Sequence, residues 1–336
     1  MTQPSLIIHV PRDMLERYGQ EGFGLYAAIA PGMRARGVRV TFVERPATTD
    51  LSHYTKHDFH LVHHGFLRRF NLLNCGIAYL WPYWYLDQRG VLCDSSLGRA
   101  HPDLSQIPLD RATGFVDRVG GRLQEKGQSK HDQPPRRGAM AEGAIVVFLQ
   151  GLSDPVLRSM AMLETEMLDT VIAGREGRRV LIKAHPKFPA TIATAHAEAL
   201  AAAHEGVEMV DANVHDLLEG AYCSVSICSG ACFEGLFHRT PAVLFGRADF
   251  AACAWSVDSA EEGVRALREV GQVAFEYERF LYWFLQRKMF NAQDAQLVDR
   301  VIQRISRTGF DLGVSVTMEE PKAGIGGLRT GGPAPP

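Results

Sequence analysis

Short apolar runs alternate with stretches of helical periodicity along most of this chain. Residues 5–10 form the first such run, a helical stretch from 22 to 36 follows it, and 38–43 is the next apolar run. Strands that alternate with helices are typical of βαβ units, in which the strands lie parallel in one sheet. The same pattern predicts two further strands in the first half, at 60–63 and 76–80.

A second alternating series begins at residue 144 and predicts a complete doubly wound sheet. Pro155 begins its first helical stretch. Proline is tolerated there because a backbone N–H in the first turn has no partner within the helix. The predicted strands of this series are 144–149, 179–183, 207–210, 222–227 and 241–245. Its predicted helices are 155–173, 191–204, 214–220 and 231–238, and two closing helices follow at 276–286 and 292–308.

The length of 336 residues suits two α/β domains, and the stretch from 120 to 143 is the best candidate for the linker. That stretch is polar, contains Gly and Pro, and has few apolar residues. The predicted organisation is a Rossmann-like N-terminal domain, a Rossmann-like C-terminal domain, closing helices and a Gly/Pro-rich disordered tail. These parts span 1–135, 143–275, 276–312 and 313–336.

Composition narrows the class of protein. Apolar residues make up 46% and charged residues 22%, and the formal net charge of -2 gives no reason to expect a nucleic-acid partner. No apolar run approaches the length of a membrane span, and the first ten residues do not resemble a secretory signal. The six cysteines are scattered, without metal-site spacing. We therefore expect a cytoplasmic protein with reduced thiols, with peripheral association at the inner membrane face left open.

Polar residues follow three predicted strands of the second half, where open parallel sheets bind ligands. The first group contains Gln150 and Asp154. A carboxylate between a strand and the following helix can act as a base or a nucleophile, and the amide of Gln150 can orient it or bind a sugar hydroxyl. The alternative is helix capping, because Ser153 or Asp154 before Pro155 suits an N-cap.

The second group is Lys183, His185 and Pro186, after the strand 179–183. Lysine and histidine here place one fixed and one switchable positive group at the mouth of the sheet, which suits a phosphate. Pro186 biases His185 toward an extended backbone. The alternative is a surface lysine and a histidine satisfied by a backbone carbonyl.

The third group contains Ser229, Gly230 and Glu234, after the strand 222–227. A Ser-Gly turn that opens a helix presents a hydroxyl and free backbone N–H groups to a phosphate. Glu234 lies one turn further on and can reach a ribose hydroxyl. The alternative is an ordinary βα turn. Together, a carboxylate, a pair of cationic groups and a helix start suit a sugar nucleotide.

These motifs, Q-x-x-x-D, K-x-H-P and S-G-x-x-x-E-G, resemble those of the capsule-polysaccharide biosynthesis group, which includes the retaining β-Kdo transferases. The chain is more distantly similar to bacterial sialyltransferases with a His-Pro motif. The stretch from 74 to 90 also resembles this group, so the resemblance spans roughly 60 to 250. Relatives often have paired hydroxyls where Cys228 and Gly230 flank the single Ser229, which leaves the donor identity open.

The resemblance implies a GT-B fold, with two Rossmann-like domains facing a cleft. It implies metal-independent transfer of a Kdo-like acidic sugar from a CMP-activated donor, with no cofactor, to a surface polysaccharide or glycolipid. The N-terminal domain would hold the acceptor and the C-terminal domain the donor. His185 and Ser229 would hold the CMP phosphate, and Asp154 would be the nucleophile or the base. The open alternatives are a UDP-sugar donor and a non-catalytic role in polysaccharide export or assembly.

Further candidates lie in the first half. Asp87 follows the aromatic residues 81–85 and can seat a sugar hydroxyl, and His64 at a strand end can face the cleft. The aromatic residues themselves are expected to pack in the interior. A metal site is not expected, because the dense histidine group straddles a loop and a strand and cannot share one face. That group consists of His53, His57, His60, His63 and His64.

Overall fold

The computed structural model of the chain describes residues 4–46, 51–127, 129–151 and 153–314, without the side chains of Leu51 and Asp154. The predicted tail 313–336 lies outside the described residues from 315 onward. The strands, numbered along the chain, are β1 (Ser5–Val10), β2 (Arg39–Glu44), β3 (Phe59–His63), β4 (Leu72–Ile77), β5 (Tyr83–Asp87), β6 (Ile145–Phe148), β7 (Val180–Lys183), β8 (Val207–Met209), β9 (Cys223–Ser226), β10 (Ala242–Leu244), β11 (Trp255–Ser256) and β12 (Phe290–Asn291).

The α-helices are α1 (Arg12–Tyr18), α2 (Gly24–Ala35), α3 (Leu109–Lys126), α4 (Asp154–Ser159), α5 (Glu164–Gly174), α6 (Ile192–Ala203), α7 (Val214–Leu218), α8 (Gly230–Gly235), α9 (Ala260–Glu269), α10 (Tyr277–Leu281) and α11 (Leu297–Ser306). Helix α10 continues into wider π-type turns over Tyr282–Lys288. Short 3-10 turns cover Leu51–His53, Leu92–Asp94, Ser96–Arg99, Leu104–Gln106, Leu236–His238, Ala251–Cys253 and Val270–Gln272.

The chain forms two compact units, and their boundary differs from the predicted one between 135 and 143. The first unit is built from the described residues of 1–96 and 288–336, and the second from those of 97–287. Helix α3 belongs to the second unit because its apolar face packs there. The ring centroids of Phe115 and Tyr282 lie 5.5 Å apart, and Gly120 lies against the ring of Phe237.

The two predicted closing helices separate between the units. Helix α10 lies in the second unit, where the ring centroids of Phe280 and Phe284 are 5.7 Å apart. Helix α11 lies in the first unit and packs beside α2, since Arg36 donates hydrogen bonds of 3.0 and 3.1 Å to the carboxylate of Asp299. The 276–312 segment is therefore not one structural part of the protein.

In its described residues, the first unit holds a six-stranded sheet in the order β12-β5-β4-β3-β1-β2. Strands β1 to β4 are parallel, and β5 and β12 are antiparallel to their neighbours. The predicted strand 76–80 instead begins at Leu72 and ends at Ile77, and the aromatic stretch supplies β5. Five residues join β4 to β5, too few for the crossover that a parallel pair requires.

The second unit holds a six-stranded parallel sheet in the order β11-β10-β9-β6-β7-β8 within its described residues. All residues of β6, β7, β9 and β10 are buried, as expected for a sheet covered on both faces. The direction of winding reverses between β6 and β9. Such a switch point leaves a crevice at the carboxyl ends of the two central strands.

Tertiary contacts break the predicted helix 155–173 into α4 and α5. Met160 forms an antiparallel bridge with Gly246, and the backbone N–H of Ala161 donates to the carbonyl of Phe245 over 3.0 Å. These bonds pair the chain with the end of β10 and take it out of the helix. Helices α1, α3 and α9 were not predicted from the sequence.

Candidate functional site

The loops that follow β6 and β9 are joined by Gln150. The side-chain oxygen of Gln150 accepts a 2.7 Å hydrogen bond from the backbone N–H of Cys228, and its amide nitrogen lies 3.6 Å from the Cys228 sulfur. Because β6 and β9 flank the switch point, this contact ties together the two loops that border the crevice. Gln150 thus holds the start of the Ser229 segment in place.

The loop after β6 is hydrogen-bonded to a buried carboxylate that was not predicted from the sequence. Glu164 accepts hydrogen bonds from the backbone N–H groups of Gln150 and Gly151, at 2.6 and 3.3 Å. Burial raises the pKa of Glu164, and the two N–H donors partly offset that rise. Glu164 lies fourteen positions after Gln150, and nothing in that spacing signals the contact.

Asp154 is the first residue of α4, and the structure does not describe its side chain. Ser153 occupies the N-cap position, but its side chain makes no capping hydrogen bond. Capping by Ser153, which was one alternative reading of this segment, is therefore not observed. The role predicted for Asp154 remains a prediction.

The loop after β7 forms a tight turn that contains Pro186. The backbone N–H of Phe188 donates to the carbonyl of His185 over 3.0 Å, and these two residues form an isolated β-bridge. Lys183 at the end of β7 is directed elsewhere: its Nζ pairs with the exposed carboxylate of Asp211 at 3.2 Å. Lys183 is itself buried, so the pair joins a buried ammonium group to an exposed carboxylate.

The imidazole of His185 has a defined tautomer. Its Nδ1 accepts a 3.1 Å hydrogen bond from the backbone N–H of Lys187, so the ring proton is on Nε2. Burial lowers the pKa of His185, and the positive charges of Lys130 and Lys187 lower it further. His185 therefore presents a neutral Nε2–H donor.

Two loops meet where Gly151 contacts the turn of His185. A Cβ atom on Gly151 would lie 3.0 Å from the Cβ of Phe188, and Gly151 has a left-handed φ of +69°. The glycine is thus required both for its conformation and for the close approach of the two loops. The β6 loop therefore contacts both the β7 loop and the β9 loop.

Ser229 caps the short helix α8, as its predicted position implied. Its hydroxyl accepts a 3.2 Å hydrogen bond from the backbone N–H of Ala231, and its own N–H donates to the hydroxyl of Ser226 over 2.9 Å. Gly230 is the first residue of α8. The Ser229 hydroxyl keeps its own proton for a ligand, since it acts as an acceptor in the cap.

Glu234 is enclosed, which differs from the predicted contact with a ribose hydroxyl. Only 2% of the residue is exposed, and one carboxylate oxygen accepts a 2.7 Å hydrogen bond from the hydroxyl of Ser129. The other oxygen has no hydrogen-bond partner among the described residues, and His215 Nε2 lies 3.9 Å from it. Burial raises the pKa of Glu234 to about 8.

Two basic residues from the predicted linker also lie at this edge of the sheet. The ring centroids of His131 and His185 are 4.9 Å apart, in an edge-to-face arrangement. Burial and the nearby charges of His185, Lys130 and Lys187 lower the pKa of His131 to about 4. Sequence reasoning missed Lys130 and His131, because a polar Gly/Pro-containing stretch reads as solvated linker.

Asp87 of the first unit organises its own loop. Its carboxylate accepts hydrogen bonds from the backbone N–H groups of Arg89 at 2.7 Å and Gly90 at 3.2 Å. It also accepts from the backbone N–H of Ser96 at 3.2 Å and from the Ser96 hydroxyl. The predicted contact between Asp87 and a sugar hydroxyl is therefore corrected: these four donors occupy the carboxylate.

His64 lies just after β3 and has a left-handed backbone, with φ of +47°. Its backbone N–H donates to the carbonyl of Cys75 over 2.7 Å, and its imidazole lies over Gly76. Strained residues of this kind concentrate at functional sites, so the structure is compatible with a binding role for His64. That role remains a prediction.

The histidine group of the first unit is largely interior. His60 and His63 are buried, and His60 pairs with His9 rather than with the other members of the group. Among the described residues, no three His, Cys, Asp or Glu side chains are placed to hold a metal ion. The predicted packing role of the aromatic residues is confirmed for Tyr83, Trp84 and Tyr85, which are buried, and is wrong for Trp81, which is exposed.

No protein-family model matches the chain, and no curated protein sequence matches it. Solved structures do match. A structure of Thermosulfurimonas dismutans KpsC described as a β-Kdo 2,7 transferase aligns with a TM-score of 0.50 and 15% identity, over 83% of this chain and 89% of that chain. A β-Kdo 2,4 transferase structure of KpsC from the same organism aligns with a TM-score of 0.49 and 14% identity, over 83% of this chain and 90% of that one.

The likeness to the 2,7 transferase structure establishes the fold. Two α/β units with mainly parallel sheets define a Rossmann-like GT-B fold, as predicted from the sequence. The family resemblance predicted from the motifs is consistent with this result. Within the part of the chain that the structure covers, no helix is long and apolar enough to cross a membrane.

Proposed function

We propose that this chain is a glycosyltransferase that transfers a Kdo-like acidic sugar from a CMP-activated donor to a surface polysaccharide or glycolipid. One observation carries the proposal: the segments after β6, β7 and β9 form a contiguous set of contacts at the switch point. Gln150 joins the first segment to the third, and Gly151 joins the first to the second. The KpsC structure that shares the fold is described as a β-Kdo transferase.

In this proposal the donor phosphate lies between the β7 and β9 loops. The neutral Nε2–H of His185 and the hydroxyl of Ser229 donate hydrogen bonds to it. When the bond between the sugar carbon and the phosphate oxygen breaks, the oxygen takes the electron pair and the phosphate gains negative charge. Donors fixed beforehand stabilise that charge without reorganisation. Basic side chains of the protein supply the remaining positive charge.

Asp154 supplies the carboxylate at the reacting carbon. As a nucleophile it forms a covalent sugar–enzyme bond, which the acceptor hydroxyl then displaces; as a base it takes the proton of that hydroxyl. Its position after β6 places its backbone beside the loop that Glu164 and Gln150 hold in place. Both routes leave CMP as the leaving group and need no redox cofactor.

The acceptor is placed on the first unit, with His64 as its candidate contact. For a glycolipid acceptor, we place the enzyme in the cytoplasm, peripheral to the inner face of the membrane. The short basic stretch Arg68–Arg69 offers charge that suits an anionic lipid headgroup.

The test is to incubate the purified chain with CMP-Kdo and analyse the intact protein and the products by mass spectrometry. We expect sugar transfer, CMP release and loss of activity in Asp154→Asn, with a sugar adduct on Asp154 if the reaction is a double displacement. CMP should raise the melting temperature, and His185→Ala should abolish that rise. The matched control is His101→Ala, an exposed histidine of the same unit. Absence of any response to CMP, UDP or GDP would contradict the proposal.

A further inference from the structure

The segment Ser129–His131, here called the strap, contacts residues of the candidate donor site. Ser129 donates its hydroxyl hydrogen to Glu234 of α8, and the ring of His131 packs edge-to-face on His185 of the β7 loop. Lys130 lies between them in sequence and is near enough to Lys187 and Glu234 for their charges to alter its pKa. The strap thus contacts two of the three strand-end segments that form the proposed site.

The strap is held by bonds on its C-terminal side and at its start. Asn213, which caps α7, donates to the carbonyls of Gly127 at 3.1 Å and Pro134 at 2.8 Å. Arg136 donates to the carboxylate of Asp216 at 2.8 Å, and this carboxylate also accepts from the backbone N–H of Arg137 at 2.6 Å. The strap is therefore a fixed part of the second unit.

Four basic side chains lie close enough together for their positive charges to influence one another, and the ring centroids of two of them, His131 and His185, are 4.9 Å apart. The side chains are those of Lys130, His131, His185 and Lys187. Neither lysine forms an ion pair within the described part of the chain. Burial keeps much of Glu234 protonated near neutral pH, because its pKa is raised to about 8, so this carboxyl offsets little of the charge. Asp132 is exposed and offsets only part of it.

Neighbouring positive groups repel each other, and a bound anion relieves that repulsion. Here both imidazoles are held mainly neutral, so they act as hydrogen-bond donors or acceptors while the lysines carry the charge. Two ammonium groups beside two imidazoles match the charge and the donor requirement of a phosphate.

We propose that Lys130 and His131 of the strap, together with Lys187 and His185, form the subsite that binds the phosphate of the donor. This assignment rests on the proposed function, and it adds residues from outside the three strand-end motifs. It also gives the strap a role: its described residues supply part of the donor-binding site.

The test compares the affinity of CMP with that of cytidine, which lacks the phosphate, by isothermal titration calorimetry. Wild-type protein should bind CMP far more tightly than cytidine. Lys130→Ala should weaken CMP binding by about tenfold or more, the size expected for one charge-assisted contact, and leave cytidine binding unchanged. Lys130→Gln, which keeps the length without the charge, should behave like Lys130→Ala, and His131→Ala should show a smaller loss. Lys126→Ala, an exposed lysine at the end of α3, is the control and should bind CMP as wild type does.

The outcomes separate the two proposals. If wild type prefers CMP and the strap variants keep that preference in full, the strap is not part of the phosphate subsite, while the proposed function stands. If wild type binds neither CMP nor cytidine, the CMP donor is wrong, and the same variants are then titrated with inorganic phosphate. Phosphate binding that Lys130→Ala abolishes would support the subsite, and failure of wild type to bind phosphate would overturn it.

Discussion

The Nδ1 atom of His185 accepts a hydrogen bond from the backbone N–H of Lys187, two residues further along the same turn, at 3.1 Å. This bond fixes the ring proton on Nε2 and would be lost if Nδ1 were protonated. The same contact explains part of the preference of His185 for the neutral state. Burial, with the charges of Lys130 and Lys187, acts in the same direction.

We predict that His185 titrates below the ordinary histidine value of 6.5 in the free protein. Nitrogen-15 NMR of labelled histidine should show a protonated Nε2 and an unprotonated Nδ1 at pH 7. Lys130→Ala should move the titration of His185 upward, because it removes one positive neighbour. A protonated Nδ1 at pH 7 would contradict the tautomer and the donor role assigned to Nε2.

Gly151 allows a comparison with Gly177, because both glycines have left-handed φ values, +69° and +77°. Alanine at either position should destabilise the protein by about 1–2 kcal/mol, the cost of a left-handed conformation for a residue with a Cβ. Only Gly151→Ala meets a neighbour, since its Cβ would lie 3.0 Å from Phe188, whereas Gly177 has open space. Gly151→Ala should therefore also weaken CMP binding, and Gly177→Ala should not. Equal CMP affinities in both variants would show that the β6 loop does not contribute to donor binding.

Asp87→Asn tests whether this carboxylate organises its loop in the first unit. An asparagine replaces one carboxylate oxygen by an NH2 group, which faces backbone donors from the loop instead of accepting from them. We expect a loss of about 1–3 kcal/mol in the free energy of unfolding, measured by urea denaturation. CMP affinity should not change. The control Asp13→Asn, an exposed residue of α1, should stay within about 0.5 kcal/mol of wild type. An Asp87→Asn variant with the same free energy of unfolding as wild type would show that the carboxylate does not hold the loop in place.

Buried histidines predict loss of stability in acid. The Nε2 of His60 lies 2.9 Å from the carbonyl of Thr55, which can only accept, so Nδ1 of His60 accepts from Nε2 of His9 at 2.9 Å. Burial is the main cause that lowers the pKa of His9 from 6.5 to about 3, and nearby His60 and His53 add to it. Since the unfolded chain binds the proton first, this stabilisation is complete above about pH 7 and is lost as the pH falls below 6.5.

The measurement for His9 is the free energy of unfolding at pH 7 and pH 5. The histidine should contribute a loss of about 1–2 kcal/mol over that interval, since one pKa unit corresponds to about 1.4 kcal/mol. His9→Gln removes the titrating group, so its loss between the two pH values should be smaller by that amount. His57→Gln, on an exposed residue, should lose as much as wild type. An unchanged pH dependence in His9→Gln would show that His9 is not held neutral.

The sequence predicted the second sheet well because its strands are buried on both faces and read as uniform apolar runs. Strands β6, β7 and β9 lie within the predicted runs 144–149, 179–183 and 222–227. The motif residues could be found for the same reason, since they directly follow these strands. Their contact through Gln150 agrees with the expectation that the strand ends meet at one edge.

What the sequence did not predict depends on tertiary contacts. The break between α4 and α5 exists because Met160 pairs with Gly246, which is distant in the chain. The sequence predicts a first domain of residues 1–135 and a linker at 120–143, because the stretch 120–143 is polar and contains Gly and Pro, so helix α3 is not recognised. Its packing on Phe237 and Tyr282 makes α3 part of the second unit. The binding role of the strap could not be predicted from the sequence, because its residues gain their partners only when α7 and α8 are folded against it.

The central claim is that the segments after β6, β7 and β9 form a single donor site at the switch point of the second sheet. A crystal structure of the protein with CMP tests it most directly. The account predicts the phosphate within hydrogen-bond distance of both the His185 Nε2 and the Ser229 hydroxyl, with the β6 loop beside it. A CMP molecule bound away from these two residues, or side chains of His185 and Ser229 that face separate regions around it, would contradict the account.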